Sequence, residues 1–172
     1  MLLLATKLQE LRFSQLMEVY EEGNRENGAL LHPELPEGQQ ILRAEQSFYQ
    51  YLQEGFFPAE GAVYAIWVEN GAYVSALRLE PYEDGLLLAA LETAPAYRRK
   101  GYAAKLIRAV QEQFPQTLYS HVSKKNTASL IVHQKCGFCQ VLDYAKYIDG
   151  SVLRTAVTLR YARGDSLHRE SV

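Results

Sequence analysis

The chain has 172 residues, 48% of them hydrophobic and 22% charged, with a formal net charge of −2. That length suits one domain, and a domain of that size buries enough surface to fold without disulfides or a structural metal. No apolar run approaches the roughly 20 residues of a membrane span. The opening Met1-Leu2-Leu3-Leu4-Ala5 is too short for a signal-peptide core and follows no basic segment. The expectation is a cytoplasmic protein with neither a membrane nor a nucleic-acid partner. Its charge is uneven: residues 1–60 hold four Lys/Arg and ten Asp/Glu, the remainder fourteen and ten. Such a split suits an enzyme that joins an anionic cofactor to a cationic acceptor. Acidic helices with solvated faces account for it equally well.

In chain order, residues 8–24 predict an amphipathic helix, with Leu8, Leu11, Leu16, Val19 and Tyr20 near helical spacing. Residues 22–38 are rich in Gly, Pro and Asn and read as irregular. A second helix is expected over residues 39–54, broken by Gly55-Phe56-Phe57-Pro58. The pattern then turns to strands. Residues 63–69 are β-rich, Asn70-Gly71 is a hairpin turn, and residues 73–79 return. After Glu83-Asp84-Gly85, the run 86–91 is apolar on both faces, as a central buried strand is. A helix over 101–114 stops at Pro115, and 117–122 is a strand. Residues 126–136 form a short helix, with Asn126 as N-cap and Gly137 as the left-handed residue after its end. Residues 138–148 and 152–161 make a terminal hairpin around Asp149-Gly150. One domain is expected over 1–162: a helical segment to residue 60, then a sheet covered by helices. A frayed polar tail follows at 163–172.

Cys136 and Cys139 form a lone C-x-x-C. A structural zinc needs about four ligands, and no second pair exists. A redox pair sits at a helix N-terminus, whereas this one falls at a helix end, where the dipole disfavours a thiolate. These are expected to be reduced structural thiols, and no metal is expected.

The chemistry concentrates at 86–109. A buried strand ends near Thr93, a short loop follows, and Arg98-Arg99-Lys100-Gly101-Tyr102-Ala103 leads into a helix. The first turn of a helix leaves backbone N–H groups unpaired, so strand, basic glycine loop and helix N-terminus make an anion site. Gly101 and Ala103 leave room for a pyrophosphate against the main chain. The loop lacks the G-x-x-x-x-G-K-[ST] and G-x-G-x-x-G patterns of other phosphate binders. On its own it is equally an ordinary loop with a solvated basic patch.

Residues 98–103 together with Asn126-Thr127-Ala128-Ser129-Leu130-Ile131-Val132-His133-Gln134-Lys135-Cys136-Gly137-Phe138 resemble the GNAT superfamily of acyl-coenzyme A-dependent N-acetyltransferases. The first stretch matches its [Q/R]-x-x-G-x-[G/A] signature. The second matches N-x-x-[S/A]-x-x-x-Y-x-K-x-G-F except at His133. The match covers residues 86–138 closely and 63–161 loosely.

The resemblance implies an α/β (α+β) fold, a mostly antiparallel twisted sheet of about six to seven strands flanked by about four helices. It implies acetyl-CoA as co-substrate, with its pyrophosphate on Arg98, Arg99, Lys100, Gly101, Tyr102 and Ala103. The pantetheine arm would lie between splayed strands near Leu91, Glu92 and Thr93, and against Asn126, Ser129 and His133, which share one helix face. The acceptor would be an amine that attacks acetyl-CoA directly in a ternary complex, without an acyl-enzyme; the acidic first third favours a small-molecule amine over a protein, and the chain would act as a monomer or homodimer. Glu92, ending an apolar strand, is the candidate base if burial raises its pKa, or a carboxylate paired with Arg98. His121 is the rival base, or a surface histidine. His133 stands where the family has the tyrosine that protonates the departing thiolate. The rival class is a non-catalytic acyl-CoA sensor, and a weaker one is a nucleotide-binding domain.

Overall fold

A computed structural model describes residues 1–164. Nine strands and five α-helices follow in order among them. They are β1 (Leu2–Ala5), α1 (Phe13–Val19), α2 (Glu21–Leu31), α3 (Glu37–Tyr51), β2 (Val63–Glu69), β3 (Ala72–Tyr82), β4 (Gly85–Thr93) and α4 (Tyr102–Gln113). Then come β5 (Thr117–Ser123), α5 (Thr127–Lys135), β6 (Cys139–Leu142), β7 (Ala145–Lys146), β8 (Val152–Leu153) and β9 (Ala156–Tyr161). Seven strands form one sheet in the order β1-β2-β3-β4-β5-β9-β6, and β7 and β8 pair separately. Every neighbour is antiparallel except β4 and β5. This is the mixed, mostly antiparallel sheet that the resemblance implies.

Two differences fall at the N-terminal end. Leu2–Ala5, read above only as too short for a signal peptide, is an edge strand that pairs with residues 64–67 of β2. Its alternation is too brief to show as a pattern. The stretch read as irregular holds an 11-residue helix, α2. Gly23, Asn24, Asn27 and Gly28 are poor helix formers, so propensity argues against it. Tertiary packing overrides propensity here. A Cβ on Gly28 would stand 2.4 Å from the backbone oxygen of Gln40, so the glycine lets α2 approach α3. The helix expected over 39–54 is α3 followed by a wider turn over Leu52–Phe56. Residues 165–172, most of the expected tail, lie outside the described residues. Arg163, within that tail, donates to the backbone oxygen of Gln111 at 3.0 Å.

The sheet has a core on each face. One gathers Leu16, Val19, Tyr20, Leu52, Phe56, Tyr64 and Tyr73 beneath the N-terminal helices. The other sets Leu106, Ile107 and Val110 of α4 against Leu77, Leu79, Leu88, Leu118 and Leu159. With both faces covered, the inner strands read as the continuous apolar runs seen in the sequence.

Between these cores the sheet opens. β4 and β5 pair tightly at their start, where a Cβ on Gly85 would lie 1.9 Å from the Thr117 oxygen. Pairing stops after Leu88 and Ser120, although β4 runs on to Thr93 and β5 to Ser123. The last residues of the two central strands therefore line a gap.

Candidate active site

The loop that leaves β4 turns at Pro95–Tyr97 and enters α4. Arg99 and Gly101 are left-handed, with φ of 61° and 81°. Such turns aim consecutive amides into a concave, anion-binding surface. The first intrahelical bond of α4 runs from Lys105 N–H to Gly101 O, and no side chain caps the helix. The amides of Tyr102, Ala103 and Ala104 thus face outward from the positive end of the helix dipole. A Cβ on Gly101 would meet no protein atom within 4 Å, so the space over the loop is open. Arg99 and Lys100 are exposed beside it.

The side chain of Arg98 turns the other way. Its Nε donates to Thr93 O at 3.2 Å, and its guanidinium pairs with Glu22 of α2 and lies 3.9 Å from Glu92. Glu22, Leu91, Glu92, Thr93, Arg98, Ala103, Asn126 and Ser129 share a cavity of about 370 Å³ at the mouth of the gap. The structure thereby brings together most of the residues named from sequence. A larger depression of about 530 Å³ beside Tyr82 and Lys146 holds none of them.

Burial pushes the Glu92 carboxyl above the ordinary carboxylate range. The Arg98 guanidinium opposes this, and the Glu22 and Glu26 charges reinforce it. Its strand is pinned around it: Ser75 Oγ, fully buried, donates to Glu92 O at 2.8 Å and lies 3.1 Å from Thr93 Oγ1. Directly before Glu92 the strand bulges. Ala76 faces Glu92 but Arg78 faces Ala89, so two residues of β4, Ala90 and Leu91, oppose Leu77 alone. Ala90 carries a positive φ of 53°.

Across the gap, Asn126 Oδ1 accepts from Ser129 N–H at 3.1 Å, the cap that the sequence predicts. Leu91, Asn126, Ser129 and His133 also line a smaller cavity of about 170 Å³, together with His121. His133 is 1% exposed. Its Nδ1 lies 2.8 Å from Ser129 O, an acceptor, so that nitrogen carries the proton. Burial lowers the His133 pKa, and the Ser129 bond only partly offsets this. The neutral ring therefore presents Nε2 as a bare lone pair, buried without a partner among the described residues. His121 packs edge-on to Tyr82 and Tyr147, at 5.5 and 5.0 Å. Its two nitrogens are buried and unpartnered among the described residues, and burial lowers its pKa too. Cys136 is buried with its thiol pushed up, which disfavours a nucleophilic thiolate. Among the described residues, no three His, Cys, Asp or Glu side chains gather as metal ligands, and no helix is long and apolar enough to cross a membrane.

The family model for the acetyltransferase (GNAT) family matches residues 18–138, which include the loop, the gap and both histidines. The chain belongs to the GNAT acetyltransferase family. Solved GNAT-like structures share its fold at low identity. An acetyltransferase of the GNAT family from Bacillus cereus is 15% identical, with a TM-score of 0.56 over 94% of this chain and 97% of that one. PaiA N-acetyltransferase from Thermoplasma acidophilum, solved with coenzyme A, is 12% identical, with a TM-score of 0.56 over 94% and 99%. The ribosomal-protein-S18-alanine N-acetyltransferase from Escherichia coli is 16% identical, with a TM-score of 0.52 over 93% and 92%. A search of curated proteins finds no match.

Sequence reasoning missed three residues of this candidate site. Glu22 lies in the stretch read as irregular, Ser75 looks like any strand serine, and Ala90 carries no signal for its left-handed backbone.

Proposed function

We propose that this protein moves an acetyl group from acetyl-CoA to the nitrogen of a small cationic amine by direct attack in a ternary complex. The carrying observation is one continuous surface: open helix amides at Tyr102 to Ala104, the gap between β4 and β5, and a cavity holding Glu92. The amides and the Gly101 turn would hold the pyrophosphate, and the pantetheine arm would run in the gap along β4 backbone that β5 leaves unpaired.

Glu92 takes a proton from the acceptor ammonium, directly or through water. Its raised pKa makes it a better base than an exposed glutamate. The freed amine adds to the thioester carbon, and the Leu91 N–H receives the charge that develops on the oxygen. The nitrogen gives up its second proton to water, the carbon–sulfur bond breaks, and the thiolate leaves as the amide forms. A neutral His133 has no proton on Nε2 to give, so near neutral pH the thiolate is protonated from solvent. Glu22 and Glu92 in one cavity, with Glu26 nearby, favour a cationic acceptor.

The test is thiol release from acetyl-CoA over a panel of polyamines, amino acids, aminoglycosides and peptide N-termini, beside CoA titration by calorimetry. Release with a polyamine or other small cationic amine supports the proposal. Binding of CoA with no release from any amine makes the protein an acyl-CoA sensor, the reading that the proton-less His133 Nε2 favours.

A further inference from the structure

The main chain of β4 leaves strand geometry at Ala90, and one side chain from a distant element holds it there. Tyr20 lies between α1 and α2, capping the end of one and the start of the other. Its hydroxyl donates to Ala90 O at 2.7 Å. That uses its single proton, so the 2.8 Å bond with Tyr64 is donated by Tyr64. Burial raises the pKa of both phenols, so both remain protonated donors throughout the working pH range. The Tyr20 ring is wedged against Phe48 and Tyr64, at centroid distances of 5.3 and 6.5 Å. Its hydroxyl is thus fixed from α3 and β2 as well as from its own helices.

A positive φ is unfavourable for a residue with a Cβ and persists only where surroundings enforce it. At Ala90, beside the bulge, the carbonyl is fixed by the Tyr20 bond. Its consequence falls on the next residue. In a trans peptide the carbonyl and the following N–H point opposite ways. Holding Ala90 O toward Tyr20 holds the Leu91 N–H away from it, on the strand that lines both cavities of the site.

We propose that Tyr20 is a positioning residue for acyl transfer, aiming the Leu91 N–H at the thioester oxygen through its bond to Ala90 O. This rests on the acetyl-transfer reading above. It also ties the acceptor-side helices to the reacting centre, since Glu22 is two residues from Tyr20.

Tyr20→Phe alone strands the Tyr64 hydroxyl, so the clean comparison is Tyr64→Phe against the double variant Tyr20→Phe/Tyr64→Phe. CoA affinity, KM for acetyl-CoA and kcat are measured with the fastest amine of the panel. Tyr64→Phe leaves the Tyr20 bond intact, and its kcat stays within threefold of wild type. The double variant binds CoA as wild type does, with KM for acetyl-CoA within twofold. Its kcat falls about 10- to 100-fold, somewhat less than the 10² to 10³ typical of losing an oxyanion donor outright. Adding Ala90→Gly, which removes the Cβ from the left-handed residue, recovers part of that loss. A double variant with kcat within threefold of Tyr64→Phe overturns the proposal. So does a single Tyr64→Phe that loses as much as the double, or an Ala90→Gly that restores nothing. A wild-type chain that neither binds CoA nor releases thiol is a different result: it removes acetyl transfer itself, and this proposal with it.

Discussion

Replacing Gly101 by valine separates the loop's own stability from its ligand. Gly101 sits at φ 81°, and a Cβ there meets no protein atom within 4 Å. The free protein therefore loses only backbone energy, about 1–2 kcal/mol for a non-glycine residue in this region. For a chain of this size that lowers Tm by about 2–8 °C. The bound state loses far more. The added methyl groups occupy the open space where phosphate oxygens would meet the amides of Tyr102 to Ala104. Hydrogen bonds to a charged group contribute about 1.5–3 kcal/mol each, so losing two weakens CoA binding by about 10² to 10⁴. Gly101→Asn is the control for strain, because Asn tolerates a left-handed backbone better than valine does. Its Tm should fall less while its CoA affinity still drops, since it too carries a Cβ. Calorimetric titration with CoA, on protein shown folded by circular dichroism, gives the affinities. A folded Gly101→Val that binds CoA within threefold of wild type would refute the placement of the pyrophosphate.

Three further outcomes are expected. Glu92→Gln lowers turnover by about 10² to 10⁴ and abolishes the ascending limb of kcat/KM that begins above the ordinary carboxylate range. Unchanged turnover would remove Glu92 as base and promote His121. For His133, the folded pKa lies below the 6.5 of the unfolded chain, so the unfolded state takes up its proton first as pH falls. Its contribution to stability is complete above about pH 6.5 and is lost below it, so His133→Phe should flatten the fall of Tm between pH 6.5 and 5. Turnover should show no decline between pH 6 and 8 that His133→Phe removes, and a decline of that kind would restore the imidazolium as the acid. Finally, Gly28→Ala pushes a Cβ to 2.4 Å from backbone at Gln40 and should cost about 1–3 kcal/mol in chemical denaturation. An unchanged denaturation midpoint would mean that α2 can shift away from α3 without cost.

What was legible in this chain follows from how locally each feature is determined. The loop Arg98 to Ala103 and the Asn126 cap were readable because the interactions are made within a few residues, between a glycine and its own φ or an Asn and the amide three places on. The strand 86–91 was readable because burial on both faces shows directly as an apolar run. The bulge within that strand was not. Leu88-Ala89-Ala90-Leu91 contains nothing that distinguishes a regular strand from one that turns left-handed at its third residue. The bond that meets the turned backbone comes from Tyr20, 70 residues earlier, and Tyr20 itself reads as one more apolar position of an amphipathic helix. The helix α2 was hidden for a related reason: the glycine that spoils its propensity is the residue that lets it pack.

The same logic explains why Glu92 was the hardest assignment. A glutamate at the end of an apolar strand is a base if buried and a bystander if ion-paired, and the sequence offers both. The structure gives each in part: the Glu92 side chain is half-buried and lies 3.9 Å from the Arg98 guanidinium. Arg98 lies within 4 Å of Glu92 but is shared with Glu22 and with Thr93 O, so its charge is divided and burial still raises the Glu92 pKa. Glu22 therefore has two effects on Glu92. It engages the cation that would otherwise hold the base ionised, and it adds a like charge nearby. Removing it as Glu22→Gln should release Arg98 toward Glu92 and shift the ascending limb of kcat/KM to lower pH, with the folded state intact because the pair is half-exposed. A limb that stays in place in Glu22→Gln would mean that Arg98 does not redistribute, and that desolvation alone sets the strength of the base.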